Sequence, residues 1–155
     1  MTLTVDQMLR SKSEERMGVI WVPPDATVLE ALALMDELDI GAVVVMRREC
    51  VLGIFTHKDN SLRVTRKHRN PDTTKVDEVM TSFGNVDPLY VVRESELEDC
   101  IDLMRSKGVN HLVVMEGGGE CGQRVIGVIS NKDITDALSR RKHLNDNILE
   151  NLPVS

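Results

Sequence analysis

Apolar positions in this chain follow two periods, and the whole pattern occurs twice. Val28, Ala31, Leu32, Met35 and Leu38 fall at i, i+3, i+4, i+7 and i+10, the stripe of one amphipathic helix face. Leu97, Cys100, Ile101 and Met104 repeat that stripe in the second half. Thr27 with Glu30, and Ser95 with Glu98, have the spacing of capping boxes at the two helix starts. Each helix is followed by a short β-branched run, Ala42–Met46 and His111–Met115, then turn residues, then a second run, Val51–Phe55 and Val125–Ile129. Runs this short, divided by turn signals, predict buried hairpin strands. Closing helices are predicted near Lys58–Thr65 and Lys132–Arg141.

Three blocks carry the repeat in the same order. VDQML at residues 5–9 matches VDEVM at 76–80, an offset of 71; IGAVVVM at 40–46 matches VNHLVVM at 109–115, an offset of 69; GIFTHKD at 53–59 matches GVISNKD at 127–133, an offset of 74. The unit reads strand, helix, strand, strand, helix, an α+β pattern. The division is residues 1–65 for the first repeat, 66–75 for a polar, solvated linker, 76–141 for the second repeat and 142–155 for a C-terminal tail. Two copies are too few for a solenoid, so they are expected to pack on each other.

Composition narrows the function classes. A chain of 155 residues with 41% hydrophobic positions can bury a core. Its net charge of −6 and 3% aromatic content disfavour nucleic-acid backbones and stacked bases. The longest apolar run, Ile40–Met46, is far below a membrane span. Residues 1–15, with Asp6, Arg10, Lys12, Glu14 and Glu15, hold no signal-peptide core, so a cytoplasmic location is expected. Cys50, Cys100 and Cys121 are an odd count without C-x-x-C spacing and read as reduced thiols. His57, His68, His111 and His143 lack metal-ligand spacing. Met8, Met35, Met80 and Met104 read as core filling. No nucleophile–base pair or carboxylate dyad converges, which argues against an enzyme.

Chemistry concentrates where each unit ends. Thr56-x-x-Asp59 and Ser130-x-x-Asp133 have the form of helix caps, in which the hydroxyl caps and the acid faces the positive helix end. The same groups suit a nucleotide monophosphate: unpaired N–H groups and a hydroxyl for phosphate, a carboxylate for ribose hydroxyls. Gly53 and Gly127 would let a ligand ring approach the backbone. One copy alone reads as a cap; two at equivalent places favour a built site.

These blocks, together with TVLEAL and ELEDCI on the first helices, resemble a tandem pair of cystathionine-β-synthase (CBS) motifs, a Bateman module, over Val5 to about Leu138. The chain looks like stand-alone single-pair proteins of that kind. The resemblance implies two βαββα repeats packed with pseudo-twofold symmetry, and two clefts for adenosine-containing ligands such as AMP, ADP, ATP, NAD(H) or S-adenosylmethionine. Carried over, one cleft would hold Thr56, His57, Lys58 and Asp59 opposite Ser95, Cys100, Val109, Asn110 and His111. The other would hold Val128, Ser130, Lys132 and Asp133 opposite Ala26, Ala31, Ile40 and Gly41. Ser or Thr would meet phosphate and Asp the ribose. His57, Lys58 and His111 would make the Asp59 cleft the more anion-seeking, with binding that strengthens as pH falls. The function expected is a regulatory sensor, a homodimer that signals nucleotide occupancy to a partner protein. The alternative is a ligand-free CBS-fold interaction or dimerisation protein in which both motifs are only caps.

Overall fold

The computed structural model describes residues 2–11, 19–83, 90–119 and 121–150, without the side chains of Ser11 and residues 143–150. The first copy comprises α1 (Val5–Ser11), β1 (Trp21–Val22), α2 (Val28–Leu38), β2 (Ala42–Arg47), β3 (Cys50–Thr56) and a short α3 (His57–Asp59) that widens into a π-helical stretch, Asn60–Thr65. The second comprises a 3-10 turn (Val76–Glu78), β4 (Thr81–Ser82), β5 (Tyr90–Val91), α4 (Leu97–Lys107), β6 (His111–Gly117), β7 (Gln123–Ser130) and α5 (Asn131–Glu150). The fold is α+β, with two small sheets, β1-β2-β3-β4 and β5-β6-β7. In each, the entering strand runs parallel to the first hairpin strand, Trp21 beside Val44 and Tyr90 beside Val113. The hairpins even carry register shifts at matching places, Val45/Met46 and Val114/Met115.

The central strands β2 and β6 are buried on both faces, which explains their unbroken apolar runs. Alternate side chains serve different cores. Val43, Val45 and Phe55 pack under α2 with Ala31 and Met35. Leu112, Val114 and Ile129 pack under α4 with Cys100 and Met104. Ala42, Val44 and Ile54 meet Val113, Met115 and Val125 in a seam between the two sheets. Met8, Met35 and Met104 are buried and Met80 packs partly buried against the first core. Trp21, by contrast, is 47% exposed.

The start segments are exchanged between copies. Val5 and Met8 belong to the core of the second copy, and Val76 and Val79 to that of the first. Leu97 N donates to Leu3 O at 2.9 Å, and Val28 N to Thr74 O at 2.9 Å, so each start segment satisfies the first helix of the other copy.

Three expectations are corrected here. Thr27 and Glu30 form the capping box on α2, but α4 is capped at Glu96 without a side-chain bond; Ser95 Oγ instead accepts from Val92 N at 3.1 Å. Residues 66–75, expected as a linker, are mostly exposed, with Thr74 buried and Pro71 O accepting from Leu29 N at the α2 start. The closing helix of the second copy continues through 142–150, where a tail was expected; residues 151–155 of that tail lie outside the described residues. Cys50 and Cys121 are joined in a disulfide with Cα atoms 5.7 Å apart, so only Cys100 remains a thiol. Their sequence separation of 71 falls within the repeat offset, and the pseudo-symmetry brings the two hairpin tips together. The cysteines therefore supply no argument for a reducing compartment. Among the described residues no helix is long and apolar enough to cross a membrane.

Candidate functional site

Both closing motifs fold as predicted caps. In the first, Asp59 N donates to Thr56 Oγ1 at 3.2 Å, and Thr56 N and Oγ1 donate to Asp59 Oδ2 at 3.0 and 3.1 Å. In the second, Asp133 N donates to Ser130 Oγ at 3.0 Å and Ser130 N to Asp133 Oδ2 at 3.1 Å. Their surroundings differ. Thr81 Oγ1 donates to Asp59 Oδ1 at 2.8 Å, and Asp59 is only 5% exposed. Both Asp59 oxygens therefore accept bonds from the protein. Asp133 is half-buried and lines a large open cleft of about 1120 Å³.

The cause lies in the exchanged start segments. Thr81 corresponds by the repeat to Arg10, and Met80 to Leu9. After its 3-10 turn, the later segment pairs as β4 beside β3, with Gly53 opposite Ser82 and Ile54 opposite Thr81. Residues 9 and 10 instead stay in α1. At Gly53 a Cβ would stand 2.4 Å from Thr81 O and 2.9 Å from Met80 Sδ. At Gly127 it would stand 3.3 Å from Leu9 Cδ2. Gly53 thus admits the protein's own start segment, a correction to the ligand-ring approach expected there, whereas Gly127 touches Leu9 and also lines the cleft described below.

The cleft draws on both copies. Ile40, Gly41 and Ala42 come from the first; Asn110, His111, Val128, Ser130, Lys132 and Asp133 come from the second. Gly41 is needed for the close approach, since a Cβ there would lie 3.1 Å from His111 Nε2. Asn110 and His111, expected opposite Asp59, line the Asp133 cleft, where His111 pairs with Ser130 across the β6–β7 hairpin. Burial lowers the proton affinity of His111, Asp133 raises it, His57 lowers it and Asp59 raises it. Burial outweighs the two carboxylates, and His111 stands within electrostatic reach of both closing motifs.

The remaining sequence candidates separate. Ala26 and Ala31 are core residues under α2, and Cys100 is fully buried under α4, its thiol pushed up to about 11 by burial. Val109 packs against that second core. Ser95 bonds its own turn, away from the cleft. His57 and Lys58 are exposed, and Lys58 Nζ donates to Gly108 O at 2.7 Å, tying the copies together.

Sequence reasoning missed Leu9, Arg10, Ile20 and Arg93 as cleft residues. The exchange of start segments brings Leu9 and Arg10 there, while Ile20 and Arg93 come from beside the entering strands β1 and β5. Arg93 Nε donates to Glu116 at 3.0 Å and its NH1 to Asp6 at 2.9 Å; Arg10 Nε lies 3.1 Å from Asp6. Arg124 also pairs with Glu116, and these two guanidiniums, Arg124 foremost, lower the Glu116 carboxyl below its usual range. The cleft thus has an apolar wall of Leu9, Ile20, Ile40 and Val128, a helix start with its hydroxyl and carboxylate, and the Lys132 cation. That is the lining of a small-molecule site with few polar anchors.

Known proteins share this design. The CBS domain family model matches residues 15–59 and 76–140. The mitochondrial CBS domain-containing protein CBSX3 of Arabidopsis thaliana is 26% identical over 139 residues, 87% of this chain and 64% of that protein. The chain thus spans less than two thirds of that relative. A crystal structure of a protein with CBS domains from Burkholderia ambifaria is 30% identical, with a TM-score of 0.78 over 88% of this chain and 93% of that one. A CBS domain protein from Pyrobaculum aerophilum, complexed with AMP, shares the fold at 17% identity and a TM-score of 0.66, over 84% of this chain and 89% of that one. With both copies matched by the family model and the same fold in these structures, the chain belongs to the CBS domain family, as a tandem pair of CBS repeats.

Proposed function

We propose that the chain is a regulatory module whose Asp133 cleft binds an adenine nucleotide or related adenosyl ligand and signals occupancy to a partner protein. The observation that carries this reading is the Ser130–Asp133 cap at the start of the 20-residue α5, on the wall of a cleft whose opposite side, Ile40 and Gly41, comes from the other copy. A helix start attracts phosphate, the carboxylate suits ribose hydroxyls, and the apolar wall suits a purine. A ligand there touches both copies, so it can favour one inter-repeat arrangement over another. The AMP complex of the Pyrobaculum protein supports the ligand class. AMP, ADP, ATP, NAD(H) and S-adenosylmethionine are the candidates.

The test is a thermal-shift series with these five compounds, backed by mass spectrometry of ligand released from freshly purified protein. At 100 times its dissociation constant a ligand adds about 2.7 kcal/mol. No shift with any of them at millimolar concentration overturns the reading. The ligand-free interaction module is the second reading. The Asp59 cap favours it, because that motif is satisfied entirely by protein groups.

A further inference from the structure

We propose that the Cys50–Cys121 bond is a reversible redox site, opened by a dithiol reductant, whose state sets how firmly the two repeats are held together. The bond joins the tips of the two hairpins. Cys50 opens β3 beside the positive-φ residues Arg48 and Glu49, and Cys121 lies between Gly119 and Gly122, both also at positive φ. Cys121 is exposed and Cys50 half-exposed, so an attacking thiolate can reach the bond. Cys100, fully buried with its thiol pushed up to about 11, stands apart from the exchange. Between the tips and the cleft lies the seam of Ala42, Val44, Ile54, Val113, Met115 and Val125. The disulfide closes one end of that seam; the strand ends at Ala42, Thr56, His111 and Ser130 form the other, where the cleft opens. Both hairpins stay paired from the tips to the cleft, so freeing the tips loosens the seam and the cleft at its far end.

The exchange balances. A reductant thiolate attacks one sulfur, displacing the other as a thiolate and forming a mixed disulfide. The reductant's second thiol then closes its own disulfide and releases the first cysteine. Two electrons and two protons pass to Cys50 and Cys121. The link to ligand affinity rests on the nucleotide-binding reading of the cleft; the opening of the seam does not.

The test uses the full chain, oxidised, reduced with dithiothreitol, and as Cys50→Ser/Cys121→Ser. Reduction under native conditions should expose two alkylatable thiols while Cys100 stays protected. Hydrogen exchange in β2 and β6 should be faster in the reduced and double-serine proteins, returning to the oxidised rate on reoxidation. AMP affinity should differ about fivefold or more between the forms. Identical exchange in all three, or a bond that dithiothreitol opens only after unfolding, overturns the proposal. Faster exchange with no AMP binding in any form leaves the redox site standing and sinks the nucleotide reading.

Discussion

Thr81 Oγ1 donates a 2.8 Å hydrogen bond to Asp59 Oδ1, and the position that matches Thr81 in the other start segment is Arg10, held on a helix. One hydroxyl thus separates two motifs that are alike in sequence. Asp59 is buried and accepts at both carboxylate oxygens, whereas Asp133 is half-buried and lines the cleft.

Asp59→Ala is therefore expected to destabilise the protein by about 2 kcal/mol, through the half-buried Thr56 and Thr81 hydroxyls and the Thr56 N–H it leaves behind. It should leave nucleotide affinity within about twofold. Asp133→Ala should do the reverse, with binding lost and a small change in melting. Calorimetry with AMP should give one site per chain. Two equal sites in the unaltered protein would contradict this asymmetry.

Gly53→Ala should be more damaging than Gly117→Ala. A methyl at 53 meets Thr81 O and Met80 Sδ, whereas one at 117 meets nothing within 4 Å. The expected cost at 53 is about 1–3 kcal/mol, with β4 displaced from β3. Denaturant melts of the two variants check the order.

Loss of the Cys50–Cys121 bond should lower stability by about 4 kcal/mol, because a cross-link spanning 71 residues removes much unfolded-chain entropy. Paired urea melts of the oxidised protein and Cys50→Ser/Cys121→Ser measure it. A difference below about 1 kcal/mol would show that the seam alone fixes the hairpins.

His111 makes stability depend on pH. Its proton affinity is lowered in the fold, chiefly by burial, so below about 6.5 the unfolded chain takes up a proton that the native chain resists. Its contribution is therefore complete above that value and is lost as pH falls through it toward the lower native value. His111→Gln should flatten this limb between about pH 7 and 5.5. An unchanged limb would place the effect on other groups.

Dimerisation follows from the outer face of α2 and the closing segment of the first copy. Leu29 and Leu38 are 49% and 44% exposed, and Leu62 is 40% exposed. A homodimer that covers them is expected at tens of micromolar. Light scattering that returns 17.4 kDa would reject it.

The helix stripes and the hairpins were legible because burial on one or two faces writes itself into periodicity, as Val28–Leu38 and Val43–Val45 show. The capping motifs were legible for the same local reason. What stayed hidden was long-range. VDQML and VDEVM read alike, and nothing in either says that it joins the core of the other copy. The unequal fates of Asp59 and Asp133 depend on Thr81, a residue 22 positions away on a strand of two residues. The disulfide was hidden by treating the cysteines as a count. Aligning them with the repeat would have put Cys50 and Cys121 at matching hairpin tips.

The exchange of start segments also governs how the chain can be made. A ribosome delivers Val5 and Met8 well before Leu97, Leu112 and Ile129, among which their places lie. The first core waits in turn for Val76 and Val79. Neither repeat can finish during synthesis of its own half, so the nascent chain must hold its opening helix in reserve until nearly the whole sequence is out. The two repeats then close in one cooperative step, each supplying the piece that completes the other.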